Sequence, residues 1–281
     1  MIELVKVTKK YGSTKATDDI SLSIKKPGIY CLLGRNGAGK TTLMKLISGN
    51  ISSTCGEISV NGARVTTFNM PENVRYIEAA KTQFNMRVSE LFKMADGLDP
   101  DFDLDFANRM AEKFKLDKKK KYNSLSFGMK TMVTTIITLA SNSDVVMLDE
   151  PVLGFDAIMR KQFYELLQMS FESHPRIIIV STHLIDEIEN TATDVIMIDN
   201  GKILLFEDIN TVIEKAYKVS GQTEALKEAV NGLNVIAVEK IGKFSVAYVF
   251  DTKRAGGEDL ELSSVSLGDL FINMVGGEEN E

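Results

Sequence analysis

The sequence predicts an α/β chain, and three observations carry that prediction. Short apolar runs rich in branched residues recur: "GIYCLLG", "DVVMLDE", "RIIIVST", "DVIMID" and "KILLF". They lack the alternation of a half-exposed strand, which marks strands buried on both faces, as in parallel sheets. Helical patterns lie between several of them, and strand–helix alternation defines α/β architecture. The first run leads straight into a glycine-rich turn, "GRNGAGKTT", and then into a helical pattern, "TTLMKLISG".

The opening differs from this core. "IELVKVTKKYG" and "ISLSIKKPG" read as antiparallel strands with a turn at Pro27-Gly28, so an antiparallel β subdomain comes first. From about Val88 to Leu139 the pattern is mostly helical and interrupts the strand series, which predicts an inserted helical subdomain at about 88–140. In "AIMRKQFYELLQMSFES", Phe163, Leu166, Leu167 and Phe171 share one helix face. From about Val212 the chain turns acidic, with weak strand signals in "NVIAVEKIGKFSVAYVF". It ends in "SLGDLFINMV", a helix with Ser266 at its N-cap. The expected division is a core at 1–210 and a small C-terminal α+β extension at 211–281.

Composition narrows the function classes. A chain of 281 residues holds one large domain or a domain with an appendage. Hydrophobic content of 44% and charged content of 26% suit a soluble globular protein. No apolar run reaches the length of a membrane span, and "MIELVKVTKKYG" lacks the pattern of a signal peptide. Cys31 reads as a buried strand residue and Cys55 as a loop residue, forming neither a disulfide framework nor a metal site. The expected location is therefore cytoplasmic. A net charge of −6 argues against a nucleic-acid partner. The lysine run Lys118 to Lys121 reads as a solvated face, and the 13 methionines as core packing.

The chemistry concentrates in three stretches. "GRNGAGKTT" fits G-x-x-x-x-G-K-[ST] through Gly34, Gly39, Lys40 and Thr41, between a strand and a helix as the motif requires. Backbone N–H groups around Asn36, Gly37, Gly39 and Thr42, with the helix N-terminus, suit a phosphate chain. Lys40 would reach the β- and γ-phosphates and the Thr41 hydroxyl would hold Mg²⁺. This sets the expected core as a phosphate-loop NTPase. "DVVMLDEP" then places Asp149 and Glu150 at the end of a buried strand, where α/β sheets bind ligands. Asp149 would hold Mg²⁺ through water and Glu150 would polarise the attacking water as general base. "RIIIVSTHL" puts His183 beside the same sheet edge, within reach of a γ-phosphate. His174 has no such context and reads as a surface loop residue. Tyr11, an aromatic at a strand end, can stack on adenine.

Over roughly residues 1–210 these motifs, in their order, resemble the ATP-binding subunit of ABC-type transporters, exporter type with a separately encoded permease. Tyr11 matches the aromatic loop, "GRNGAGKTT" the Walker A loop and "LSFGMK" the signature. "VVMLDE" matches Walker B, "EPVLGFD" with Asp156 the D-loop, and "STH" the switch histidine. The resemblance implies ATP and Mg²⁺ as ligands, ATP hydrolysis, and a head-to-tail homodimer or a heterodimer with a related subunit. It implies that Ser126 and the Gly128 backbone bind the γ-phosphate of the ATP held by the facing subunit. It also implies a membrane permease, docked on the helical subdomain and about residues 78–97, which would hold the chain on the inner face of the cell membrane. Export of a drug, antibiotic or peptide is the expected work. Phe127, Met129 and Phe155 stand where the family has glycine, glutamine and leucine. The Q-loop glutamine is missing: its place holds Glu78 or Ala79, and Gln83 lies too far downstream. Two rival classes lack their marks in this sequence. A non-transport ABC ATPase acting on ribosomes or nucleic acid would have two cassettes or a long coiled coil. A guanine-specific enzyme would carry N-K-x-D, and a small-molecule kinase leaves the signature unexplained.

Overall fold

The computed structural model describes residues 1–78, 83–257 and 259–276. In chain order the first elements are β1 (Ile2–Tyr11), β2 (Thr14–Ile24), β3 (Gly28–Leu33), α1 (Lys40–Ile47), β4 (Cys55–Val60), β5 (Ala63–Arg64) and β6 (Val74–Glu78). A helical stretch follows: α2 (Val88–Leu98), α3 (Leu104–Lys113), a 3₁₀ turn at Tyr122–Ser124, and α4 (Phe127–Ala140). Then come β7 (Val145–Asp149), α5 (Ala157–Ser173), β8 (Ile177–Ser181), α6 (Ile185–Ile188), β9 (Asp194–Asp199) and β10 (Lys202–Asp208). The last part is α7 (Ile209–Lys215), β11 (Ala216–Gln222), α8 (Thr223–Ala229), β12 (Val235–Ile241), β13 (Phe244–Phe250), β14 (Glu261–Ser264) and α9 (Leu267–Gly276).

Three sheets organise these elements. The central six-stranded sheet has order β10-β9-β3-β8-β7-β6 and is parallel except for β10, which pairs antiparallel with β9. All five apolar runs singled out in the sequence lie in it. In β3, β7, β8 and β9 the lack of alternation has the expected cause, because both faces are covered, whereas β10 is the edge strand and leaves Leu204 exposed. Ile29, Cys31, Leu33, Val146, Leu148, Ile178 and Val180 face a core shared with α2 to α5. Tyr30, Leu32, Val145, Met147, Ile177 and Ile179 face a second core shared with α1 and the antiparallel sheet β2-β1-β4-β5. On α5, Phe163, Leu166 and Leu167 are buried, with Phe171 packed against the same core.

The opening hairpin corrects one detail. Tyr11 pairs with Thr14, so the reversal lies at Gly12-Ser13 and β2 starts six residues earlier than "ISLSI". Only a two-residue loop fits that register. Gly28 is instead the first residue of β3. Cys55 also departs from expectation: it begins strand β4, exposed, opposite Thr8. Cys31 is fully buried, and burial, with the nearby Glu150 charge, raises its thiol pKa far above the usual range.

The third sheet, β12-β13-β11-β14, belongs to the tail and has its own small core of Tyr217, Val219, Leu226, Ala247 and Val249. Ser266 caps α9 as expected, accepting from the Asp269 N–H at 3.0 Å. That helix touches both β12 of the tail sheet and α6, and its Leu267 and Leu270 are buried in the main core.

Candidate functional site

Register sets the site. Glu78 pairs with Asp149, and Asp149 pairs with Ser181, so three adjacent parallel strands end abreast on polar side chains. That edge is the carboxyl end of the sheet, where helix N-termini and loops converge. β3 ends one strand further along and feeds the loop before α1. Gly39 ends that loop at φ +111°, and a Cβ there would collide with the Ala16 carbonyl oxygen, so only glycine fits. No side chain caps α1, leaving its first-turn N–H groups to an external anion.

Asn36, Gly37, Gly39, Lys40, Thr41 and Thr42 line one cleft of about 200 Å³, together with Glu150. Lys40 is only 7% exposed; its ammonium donates to the Gly34 carbonyl at 2.6 Å and stands 3.9 Å from Glu150 Oε1. The Thr41 hydroxyl donates to Asp149 Oδ2 at 2.7 Å, and the Ser181 hydroxyl donates to Asp149 Oδ1 at 2.6 Å. The Glu150 N–H reaches Ser181 Oγ at 2.9 Å, so one serine holds both neighbouring acids. Glu150 sits at φ +48°, a strained left-handed conformation of the kind stored at functional sites. Its Oε2 lies 2.9 Å from His183 Nδ1. A larger, adjoining cleft of about 720 Å³ is lined by Asn36, Glu150, Leu153, His183 and Phe271 among others.

Lys40, Thr41, Asp149, Glu150 and His183 are thus brought together. Ser126, Gly128, Asp156 and Tyr11 are not among the residues lining these clefts. Ser126 caps α4, accepting from the Met129 N–H at 3.3 Å. Gly128 is buried against Met159 and Phe155. Asp156 caps α5, accepting from the Met159 N–H at 2.8 Å. Tyr11 ends β1, 52% exposed. His174 sits at the C-cap of α5, outside the site. At the end of β6, Glu78 makes an ion pair with Lys45. The Tyr76 hydroxyl lies 2.8 Å from Glu78 Oε1 and 3.1 Å from Asp149 Oδ2, so two carboxylates share its one proton. Burial, then the Asp149 charge, raises the Tyr76 pKa strongly and keeps it a donor. The alternative Q-loop position, Ala79, lies outside the described residues, as do 80–82 of the expected permease-docking stretch.

The donor set fits a magnesium nucleotide. Two hard oxygen donors, Thr41 Oγ1 and Asp149 Oδ2, sit side by side. Among the described residues no group of three His, Cys, Asp or Glu side chains converges to cage a metal alone. Mg²⁺ is usually held in just this way, by one or two protein oxygens plus phosphates and water. Sequence reasoning missed Ser181, Tyr76 and Lys45. Ser181 was detectable as the last residue of a strand ending at the ligand edge.

A phosphate loop opening a helix, an acid pair at the next strand end but one, and a histidine beside them define a nucleoside-triphosphatase cassette. Comparison with known proteins specifies which. A family described as "ABC transporter" matches residues 17–153. The lantibiotic transport ATP-binding protein SrtF of Streptococcus pyogenes is 30% identical over 243 residues, spanning 85% of this chain and 99% of SrtF. The ABC transporter ATP-binding protein YtrB of Bacillus subtilis is 25% identical over 288 residues, 99% of both chains. The bacitracin transport ATP-binding protein BcrA of Bacillus licheniformis is 30% identical across 73% of this chain and 68% of its own. Among solved structures, the ATP-binding subunit of an ABC transporter superposes with TM-score 0.66 at 21% identity, covering 75% of this chain and 91% of that one. A dimeric cassette in a post-hydrolysis state with ADP and Pi gives 0.63 at 19%, covering 74% and 99%. The chain belongs to the ABC transporter ATP-binding proteins, and it is an ATP-binding, ATP-hydrolysing subunit.

Proposed function

We propose that this chain, as a MgATP-bound dimer, drives a separate membrane permease that exports a peptide or antibiotic. The observation that carries the reading is the division of its polar machinery. Lys40, Thr41, Glu150 and His183 line two adjoining clefts that meet at Glu150, with Asp149 bonded to Thr41, while the helix N-terminus capped by Ser126 stands apart from them. A γ-phosphate held by the first group is completed by the second only from another copy, which a two-fold axis supplies twice. The partner copy is an identical chain or a related subunit.

Within one site the roles follow from position. The α1 N-terminus and the loop N–H groups of Asn36, Gly37, Gly39 and Thr42 bind phosphate oxygens, and Lys40 neutralises them from a nearly dry position. Mg²⁺, bound by Thr41 and through water by Asp149, would offset the charge of the phosphates. Glu150 takes a proton from the attacking water, and His183, held on Glu150 Oε2, contacts the γ-phosphate through its other ring nitrogen. Tyr11 stacks on adenine. Ser126, the Gly128 N–H and Asp156 act across the dimer. Glu78 serves in place of the Q-loop glutamine, a reading supported by its pairing with Asp149 at the strand end.

Residues 1–210 form the cassette and 211–281 an extension. Among the described residues no helix is long and apolar enough to cross a membrane, so membrane attachment on the inner face would come through the permease. The names of SrtF and BcrA, lantibiotic and bacitracin transport, support a peptide or antibiotic cargo. The test is the solution mass of Glu150→Gln by light scattering with and without MgATP. A shift from monomer to dimer that Ser126→Arg abolishes supports the reading. ATP binding without any dimer overturns the shared-site reading.

A further inference from the structure

His183 lies on a segment that cannot hold itself. The helix that follows it, α6, has four residues, far below the length at which a helix is stable alone. Its position is therefore set by what packs against it. On one side Arg160 donates to Glu187 Oε1 at 2.8 Å and to the Phe155 carbonyl at 3.1 Å, tying α6 to the loop before α5. On the other side lies α9, the last helix of the tail. The first turn of α9 meets α6 directly, since a Cβ on Gly268 would stand 3.1 Å from Asp186 Oδ1. Leu267 and Leu270 are buried in the same core as Ile188. Phe271, 9% exposed, goes further: it forms part of the wall of the cleft that also contains Asn36, Glu150 and His183.

The geometry points to Phe271 as a positioning residue for His183, and to the tail as the element that sets the switch. The tail sheet has its own core and reaches the catalytic cleft through α9. Anything that moves the tail sheet moves the surface on which the His183 segment rests. Phe271 touches the cleft wall rather than the reacting atoms, so it acts through His183 and not by chemistry of its own. The inference rests on the proposed role of His183 in hydrolysis.

The test compares full-length Phe271→Ala, Phe271→Leu, His183→Ala and Ile272→Ala. Ile272 is the control, 64% exposed on the same helix. A misplacement of about an ångström costs up to a hundredfold in rate, so kcat should fall roughly tenfold or more in Phe271→Ala. MgATP affinity, measured in the Glu150→Gln background, should stay within about twofold. Phe271→Leu should recover most of the rate. The chain has two histidines, so in a His174→Gln background the imidazole NMR signals report His183 alone. They should shift in Phe271→Ala and not in Ile272→Ala. If His183→Ala is inactive while Phe271→Ala keeps both wild-type kcat and wild-type imidazole signals, the inference is overturned. It is equally overturned if Phe271→Ala loses affinity and rate together and Phe271→Leu does not restore them. If His183→Ala keeps full activity, the fault lies with the reading of the site instead.

Discussion

Replacing Ser181 with alanine removes one hydroxyl and touches both acids of the site. That hydroxyl donates to Asp149 Oδ1 at 2.6 Å and accepts from the Glu150 N–H at 2.9 Å, with Ser181 fully buried. A hydrogen bond to a charged group contributes roughly 1.5–3 kcal/mol. The Glu150 N–H keeps a second acceptor, the Ser181 carbonyl at 3.2 Å, so most of the loss falls on Asp149. Asp149 keeps the Thr41 and Tyr76 hydroxyls on its other oxygen but loses the bond that fixes Oδ1. Taking about 2 kcal/mol for the lost bond, and a factor of ten per 1.36 kcal/mol, kcat should fall roughly 30-fold if the loss is expressed in the transition state. The assay is phosphate release against MgATP concentration, with a Mg²⁺ titration at fixed ATP. Ser181→Ala should need more Mg²⁺ for half-maximal rate, and Ser181→Thr should restore part of kcat. An alanine variant with kcat and Mg²⁺ dependence both within twofold of wild type would refute the claim that this serine holds the acid pair.

Two further outcomes follow from the packing. Tyr30, Tyr76 and Tyr164 have phenol pKa values raised chiefly by burial, Tyr30 to about 12. Between the unfolded value near 10 and the folded one the unfolded chain releases protons that the native chain keeps, so stability falls as pH rises. The unfolding free energy from denaturant melts should therefore fall from pH 10 to 12, and Tyr30→Phe should flatten that slope by up to about 1.4 kcal/mol per pH unit. Gly154 sits at φ +78°, and a Cβ there would lie 2.9 Å from Phe127 Cδ1. Gly154→Ala should cost about 1–2 kcal/mol of backbone strain, read as a lower denaturant midpoint. The Phe127→Ala/Gly154→Ala pair should recover only the contact part of the loss. A loss in the pair equal to the sum of the two single losses would show that the phenyl ring takes no share.

The legible part of this molecule is the part whose physics is local. Strands covered on both faces read as unalternating apolar runs, as β3, β7, β8 and β9 do, and the fifth run is the half-exposed edge strand β10 of the same sheet. The phosphate loop is legible because glycine freedom, strand and helix must sit within nine residues of one another. The unreadable part depends on contacts distant in sequence. Ser181 meets Asp149 across 32 residues through strand register: its place at a strand end is legible, its partner is not. Tyr76 reaches Asp149 across 73 residues by the same register. The hairpin turn was misplaced because Pro27-Gly28 carries the stronger turn signal, whereas pairing of Tyr11 with Thr14 decided the matter.

The tail gives the sharpest case. "SLGDLFINMV" is readable as a capped apolar helix, and its N-cap is where the sequence puts it. Its apolar face requires burial, but nothing in those ten residues says against what. The natural guess, the sheet immediately preceding it, is only half the answer: α9 packs on β12, and Leu267, Leu270 and Phe271 also join the main core beside Ile188. A short helix shared between its own sheet and α6 costs the extension part of its independence. The tail and the His183 segment therefore unfold or shift together more readily than either does alone. Hydrogen exchange should find α6 and α9 opening as one cooperative unit. Independent opening of α6 and α9 would mean that the contact between the two helices carries no coupling.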